Sequence, residues 1–472
     1  MIKLMIIASL VLLISITSSK VLYKFGVPIL LIFIGLGMLF GCDGIVGIDF
    51  SDYELTKEIS SMALVIIMFY GGFGTKWSTA KPSAIPSILM STLGVIITAL
   101  LTGLFSHFVL GTTLLEGLLI GAVVASTDAA SVFAILRSQK LNLKGSLAPL
   151  LEVESGSNDP FAYMTTLSIL LLMDNKGVSA LIPMVIKQVL FGIVVGTLLA
   201  KFTIHFIKRL KFEIKGFYPI FILAIAILSY SLSEYLGGNG YLSVYMSGII
   251  LGNINHLPYK KSLFQFFDCI SWIMQIVLFF MLGLLSFPSK LIDIMGISVS
   301  ISIFMILVAR PLATFITLQP FKYSFKEKIF ISWVGLRGAA SIVFAIYATT
   351  YGVSMEYDIF HIVFFVALFS VAIQGSLLPK VAKKLDLVDD NTLVLKTFND
   401  YAGDIDRQLM EVNVTAESKL VNKCIADADI SEDILIVMIK RNGKTILPKG
   451  TTIIEKGDVL VFTGDNLEEL SL

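Results

Sequence analysis

Residues 147–173 read LAPLLEVESGSNDPFAYMTTLSILLLM. The run is apolar and long enough to cross a bilayer, which takes about 20 residues. Yet its middle holds Glu154-Ser155-Gly156-Ser157-Asn158-Asp159-Pro160. An acid at the centre of a span costs roughly 2.5–3.5 kcal/mol on insertion scales, so such residues face a bundle interior and do work there. Ser155 and Asp159 share one helix face, and Glu154 and Asn158 share the neighbouring one. Pro160 has no N–H to give the carbonyl of Gly156, which frees an oxygen in the same turn. A carboxylate, a hydroxyl and a free carbonyl make a hard oxygen site that suits a partly dehydrated alkali cation.

The rest of the chain fits a membrane setting. Of 472 residues, 56% are hydrophobic and 15% charged, against about 45–50% and about 25% in soluble domains. Net charge is +1, so no global field draws nucleic acid. Cys42, Cys269 and Cys424 are far apart and suggest neither a disulfide framework nor a metal site. Apolar segments recur near 4–20, 27–41, 59–74, 84–110, 116–136, 147–173, 180–207, 217–236, 240–254, 266–287, 293–319, 328–350 and 358–379, thirteen in all. Those at 27–41 and 240–254 are short for a span, hence tilted, thin or misbounded. The first has a signal peptide as its alternative reading, but lacks a clear small-x-small cleavage site.

Loop charges order these segments. Alternate loops hold Lys20 and Lys24; Lys76 and Lys81; Arg137, Lys140 and Lys144; Lys208, Arg209, Lys211 and Lys215; Lys260 and Lys261; Lys322, Lys326 and Lys328; and Lys380, Lys383 and Lys384. The opposite loops are acidic, with Asp43, Asp49, Asp52, Glu54, Asp174, Asp293, Glu356 and Asp358. The positive-inside rule puts the basic set in the cytoplasm, the N-terminus outside and the C-terminus inside a plasma (inner) membrane.

The spacing predicts three regions: a transmembrane exchanger domain over 1–380, a polar linker over 381–405, and a small cytoplasmic α+β domain over 406–472. In the last, Ile434–Ile439 and Lys444–Leu447 read as strands around an Asn442-Gly443 hairpin turn. Thr452–Ile454 and Val459–Phe462 flank a second turn. A unit this small has a marginal core, which favours dimerisation.

DAASVFAI at 128–135 is echoed by GAASIVFAI at 338–346. The copies fall on the fifth and twelfth segments and cross in opposite senses, as in the inverted repeats of secondary transporters. Thr127 and Asp128 supply a second hydroxyl and a second carboxylate, with backbone carbonyls added if that helix is unwound there. The competing reading of Asp128 is a helix cap. Arg337 in the twelfth segment needs a buried acid, and Glu154 is the acid best placed to neutralise it. Arg310 is a second intramembrane cation with no partner assigned. His107, His205 and His361 read as packing or interfacial residues; Glu116 and Glu234 fall near outer ends. Asp268 and Gln275 are weaker candidates for the pathway.

GGFGTKW at 71–77, STDAAS at 126–131, ESGSNDP at 154–160, GGNGYLSVYMSGIILGN at 237–253 and SWVGLRGAASIVFA at 332–345 resemble the NhaP-type branch of the monovalent cation:proton antiporters. Residues 406–472 resemble the TrkA-C (RCK C-terminal) domain of potassium transport proteins. The resemblance implies an all-α polytopic membrane protein of about thirteen helices with the inverted-repeat antiporter fold, acting as a homodimer. It implies that Asp159 carries ion and proton, with Asp128, Thr127, Ser155 and Asn158 in the ion site, and that Glu154 pairs with Arg337. Relatives often have an acid in the third segment near the glycine pair; here Tyr70 or Phe73 stands in that place.

The activity expected is secondary antiport of potassium, or sodium, against protons. It is a carrier rather than an enzyme, and it needs no cofactor. With Asn158 neutral, one titrating acid implies electroneutral exchange. The C-terminal domain favours potassium and suggests regulation by pH, by a partner subunit or by a nucleotide such as cyclic di-AMP. Competing classes are a potassium channel, which needs a filter like TVGYG that Thr350-Tyr351-Gly352 does not complete, and an organic-solute transporter, for which no larger binding group is found.

Overall fold

The structure is a computed structural model that describes residues 2–22, 29–139, 141–209, 212–254, 257–389, 409–414, 418, 420–428, 434–441 and 444–464. Lys24, Lys140, Lys211, the Asn442-Gly443 turn and linker residues 390–405 lie outside them. The chain divides into two units at Asp390.

The first unit is helical. Its elements are α1 (Ile2–Leu22), α2 (Ile29–Phe40), α3 (Tyr53–Gly74), α4 (Trp77–Leu110), α5 (Leu114–Val123), α6 (Ala129–Ser138), α7 (Leu147–Met173), α8 (Val178–Arg209), α9 (Phe217–Tyr235), α10 (Gly240–Gly252), α11 (Lys260–Leu285), α12 (Pro288–Thr317), α13 (Phe325–Trp333), α14 (Ala339–Thr350) and α15 (Ile359–Lys384). Seven of the described helices are long and apolar enough to cross a membrane: α3, α4, α8, α9, α11, α12 and α15. The two short segments remain short as α2 and α10. On α8 the apolar side chains Ile182, Ile186, Leu190 and Leu198 are exposed. That is the pattern of a helix facing lipid, where only the backbone needs internal hydrogen bonds.

Two features follow the internal echo. The fifth segment is broken: α5 ends at Val123 and α6 starts at Ala129. The twelfth is broken in the same way, between Trp333 and Ala339. The helices before them match as well. Both α4 and α12 carry a π-helical turn, at Met90–Gly94 and Met305–Ala309. The repeat therefore reaches further in structure than in sequence.

Glycines set the closest helix contacts. A Cβ on Gly72 would stand 2.5 Å from the carbonyl oxygen of Tyr245, and one on Gly248 would stand 2.6 Å from that of Phe69. The glycine motif of α3 thus lets α3 and α10 meet backbone to backbone. Phe73 packs on Phe69 and Phe267.

The first residues of the span expected as a linker, 381–405, are ordered in the first unit. α15 continues to Lys384, and Val388 pairs with Leu143 across an antiparallel bridge. Leu387 is buried in a cluster with Leu136, Leu378 and Ala382, and Val381 and Leu385 pack against the same cluster.

Among the described residues the second unit holds a four-stranded antiparallel sheet in the order β1-β4-β2-β3. Its strands are β1 (Leu409–Asn413), β2 (Ile434–Arg441), β3 (Lys444–Ile446) and β4 (Val459–Gly464). Ile436, Ile439, Leu460 and Phe462 are buried beneath it with Leu420 and Ile454. β1 lies outside the strand readings made from sequence. In the stretch Thr452–Ile454 before the second turn, Ile453 bridges to Cys424. Arg441 binds both oxygens of buried Asp458 at 2.7 Å.

Candidate ion site

The two helix breaks lie against each other. The Asp128 N–H donates to the carbonyl of Leu336 at 2.8 Å. Four half-helix ends therefore meet in one place, with orphan N–H groups at the starts of α6 and α14 and orphan carbonyls at the ends of α5 and α13. Side chains satisfy some of them and several groups of the unwound backbone between them. Asp128 caps α6: Oδ1 accepts the Ser131 N–H at 3.2 Å, and Oδ2 accepts the Ser131 hydroxyl. Arg337 donates from one guanidinium nitrogen to the carbonyls of Ala125 (2.7 Å) and Ser126 (2.8 Å), beyond the carbonyl end of α5. Gln374 donates to the carbonyl of Trp333 and accepts from Ser370, whose Oγ also receives the Arg337 N–H.

α7 runs past this crossing and is tied to it. The Ser155 hydroxyl donates to the Thr127 carbonyl at 2.9 Å and accepts the Ala129 N–H at 2.8 Å. Asn158 donates to the Thr127 hydroxyl at 2.5 Å. Asp159 accepts a hydrogen bond from the hydroxyl of Ser126. The structure thus brings together all five residues read from sequence as the ion site: Asp159, Asp128, Ser155, Thr127 and Asn158. Their commitments differ. Ser155 spends its hydroxyl on the break and Asp128 its carboxylate on the first turn of α6, whereas Asn158 Oδ1 is buried with no hydrogen-bond partner among the described residues. Such an oxygen is one that a cation can satisfy.

The pairing of Glu154 is different from the one expected. Its partner is Arg310, not Arg337; both members of the pair are buried, at 2% and 3% side-chain exposure. Arg310 follows directly on the π-helical turn of α12, so its side chain points inward beside α7. Arg337 sits in the break, where the nearest unsatisfied groups are backbone carbonyls. Counting intramembrane charges reveals that Glu154 needs a base, but not which guanidinium reaches it. Gly338 beside Arg337 is fixed by space: a Cβ there would lie 2.5 Å from Asp128 Cβ and Oδ2.

A cavity of about 530 Å³ reaches Asp159. Asp128, Ser155, Glu152, Asp268 and Gln275 line it, and Arg137 and Asn142 stand among its lining on the basic-loop side. Tyr70 donates its hydroxyl to Asp268 at 2.7 Å. The carboxylate beside the glycine motif is therefore supplied by α11 rather than by α3. Sequence reading passed over Ser126 and Glu152. Ser126 adjoins Thr127 in the break, a signal that was available; Glu152 shows no signal beyond being another acid in an apolar run. His361 has a structural role, held between Asp358 and the Phe287 N–H.

Residues 7–384 match the family model described as sodium/hydrogen exchanger, transmembrane, and residues 409–470 match the TrkA-C domain. The chain is 34% identical over 445 residues to the K(+)/H(+) antiporter NhaP of Alkalimonas amylolytica, covering 93% of this chain and 77% of that protein. It is 38% identical over 383 residues to the K(+)/H(+) antiporter NhaP2 of Shewanella sp. (strain ANA-3), covering 80% of this chain and 66% of that protein. The solved sodium proton antiporter MjNhaP1 from Methanocaldococcus jannaschii superposes with a TM-score of 0.69 at 26% identity, over 79% of this chain and 99% of that one.

Proposed function

Because the chain belongs to the family of transmembrane sodium/hydrogen exchangers, we propose that it exchanges a monovalent cation, potassium in preference to sodium, for protons, with both competing for Asp159. The observation that carries this reading is the position of Asp159: a carboxylate on α7, beside two unwound helices, lining a cavity that also reaches Arg137 and Asn142 near a basic loop. Asp159 then holds either a proton or a cation, and the loaded site alone moves to the other face. With Asn158 as its neutral neighbour, one acid carries one charge each way, so the exchange is electroneutral. Asn158 Oδ1, the Thr127 hydroxyl and the oxygens of the break complete the cation's shell. Asp128 sets the end of α6 and adds negative charge nearby.

Relatives named as potassium/proton antiporters support potassium, as does the TrkA-C domain. A relative at 27% identity, from Aphanothece halophytica, is named as a sodium/proton antiporter. In this reading the chain crosses the inner membrane thirteen times with its N-terminus outside. It works as a homodimer, and the C-terminal domain sets its activity in response to a small ligand such as cyclic di-AMP. The test is the purified chain in proteoliposomes, with proton flux driven in turn by potassium, sodium and lithium. Potassium-driven flux that disappears in Asp159→Asn is expected; flux that persists in that variant refutes the assignment.

A further inference from the structure

On the far side of Asp159 from the cavity, the path is closed by tyrosines. Tyr163 lies one turn along α7 from Asp159 and is buried. Its ring packs at 5.1 Å on Tyr241 and at 5.3 Å on Tyr347, and Tyr241 packs at 5.2 Å on Tyr230. Phenylalanine would seal such a plug more cheaply, because a buried phenol needs a hydrogen-bond partner. The hydroxyls here are poorly satisfied. Tyr347 meets Tyr230 and Ser61 at 3.4 Å each, long for an O–H···O bond. The hydroxyl of fully buried Tyr241 makes no well-formed hydrogen bond among the described residues, with only weak contacts to Tyr230 and Ser61. Glu234 stands at the outer edge of this group, with Oε1 accepting the Gly240 N–H at 2.8 Å.

Converging, under-satisfied oxygens beside a carboxylate are what a hard cation requires. We propose that Glu234 and the hydroxyls of Tyr241, Tyr230 and Tyr347 form a second cation site, on the face opposite the basic loops, which receives the ion as it leaves Asp159. In the present state the Tyr347 hydroxyl, reaching from α14 to α9 and α3, keeps that exit shut. Opening separates Tyr347 from Tyr230 and Ser61, and the cation takes the place of those weak contacts. The direction of use rests on the antiport reading; binding at the site does not.

Two measurements on the full chain test it. In oriented proteoliposomes, Glu234→Gln keeps an acceptor for Gly240 but removes the charge. It should raise the half-saturating potassium concentration on the outer face roughly tenfold and leave the inner-face value unchanged. Tyr241→Phe should shift it the same way with little change in thermal stability, since that hydroxyl has no well-formed bond to lose. Equal shifts on both faces, or none, overturn the proposal. The second measurement needs no transport. Ser61→Cys, with Cys42, Cys269 and Cys424 replaced by serine, is labelled from the outer face with a membrane-impermeant maleimide. Potassium should slow labelling, and should still do so in Asp159→Asn, where antiport itself is lost. A cysteine that never reacts, or one that potassium does not protect, refutes the exit site while leaving the Asp159 assignment standing.

Discussion

Replacing Arg310 by methionine should cost far more stability in the presence of Glu154 than in its absence. The two groups form a buried ion pair at 3% and 2% exposure. At an effective dielectric of about 20, a pair of unit charges near 4 Å interacts by about 4 kcal/mol. Removing one member of a buried pair costs about 3–5 kcal/mol, because the other charge is left uncompensated, whereas replacing both by apolar groups is often neutral. A double-mutant cycle of Arg310→Met with Glu154→Leu should therefore give a coupling of about 3–5 kcal/mol. Arg337 offers the control. It donates to two carbonyls beyond the end of α5, so its loss costs about 1–3 kcal/mol per orphaned group whichever residue occupies position 154. Thermal unfolding of the solubilised full chain reads both cycles. At roughly 2–4 °C per kcal/mol, the Arg310 single variant should melt about 6 °C or more below the wild type, and most of that loss should vanish in the double variant. Strong coupling of Glu154 to Arg337, with additivity at Arg310, would refute the pairing.

Other parts of the account make separate predictions. Gly338→Ala should force the Asp128 carboxylate off its cap on α6, at an overpacking cost of roughly 1–3 kcal/mol, with transport falling while the membrane-inserted yield holds; normal transport contradicts the close approach. Asn239 caps α10 through the Leu242 N–H at 3.0 Å and donates to the Pro160 carbonyl at 2.8 Å. Asn239→Ala should lower the melting temperature by the equivalent of about 2–4 kcal/mol, and no change rules out both bonds. In the second unit, hydrogen bonds from Arg441 hold the Asp458 carboxyl below its ordinary value. A folded pKa below the unfolded one, about 3.9, gives stability that is present above that value and lost as pH falls through the folded one. Hydrogen exchange at Val459–Phe462 in the full chain, corrected for intrinsic rate, should speed up only below about pH 4. In Arg441→Met it should be faster already near neutral pH; an unchanged profile in that variant contradicts the link.

Much of this molecule can be read from single residues. Asp159 stands out because an acid in an apolar run is costly, and only a functional interior position compensates for it. The break after Val123 was legible because DAAS and GAAS repeat small residues at matching places. The partner of Glu154 was not legible. Arg310 and Arg337 are equal on charge alone, and the choice turns on a π-helical turn that no periodicity announces. Tyr70 shows the same limit: its sequence position marks a missing acid, but only the fold brings Asp268 to its hydroxyl. Strand β1 escaped notice because Leu409–Asn413 is short and flanked by polar residues, and it gains its hydrogen bonds from β4, far along the chain.

The most direct test of single-site competition is the rate of cation-driven proton movement, measured over a grid of pH and potassium concentration on the cavity-facing side. Exclusive occupancy of Asp159 predicts that the half-saturating potassium concentration climbs about tenfold for each unit of acidification, once protons dominate the site, while the maximal rate stays constant. A half-saturating concentration indifferent to pH, with a maximal rate that falls instead, would mean that proton and cation bind at separate places.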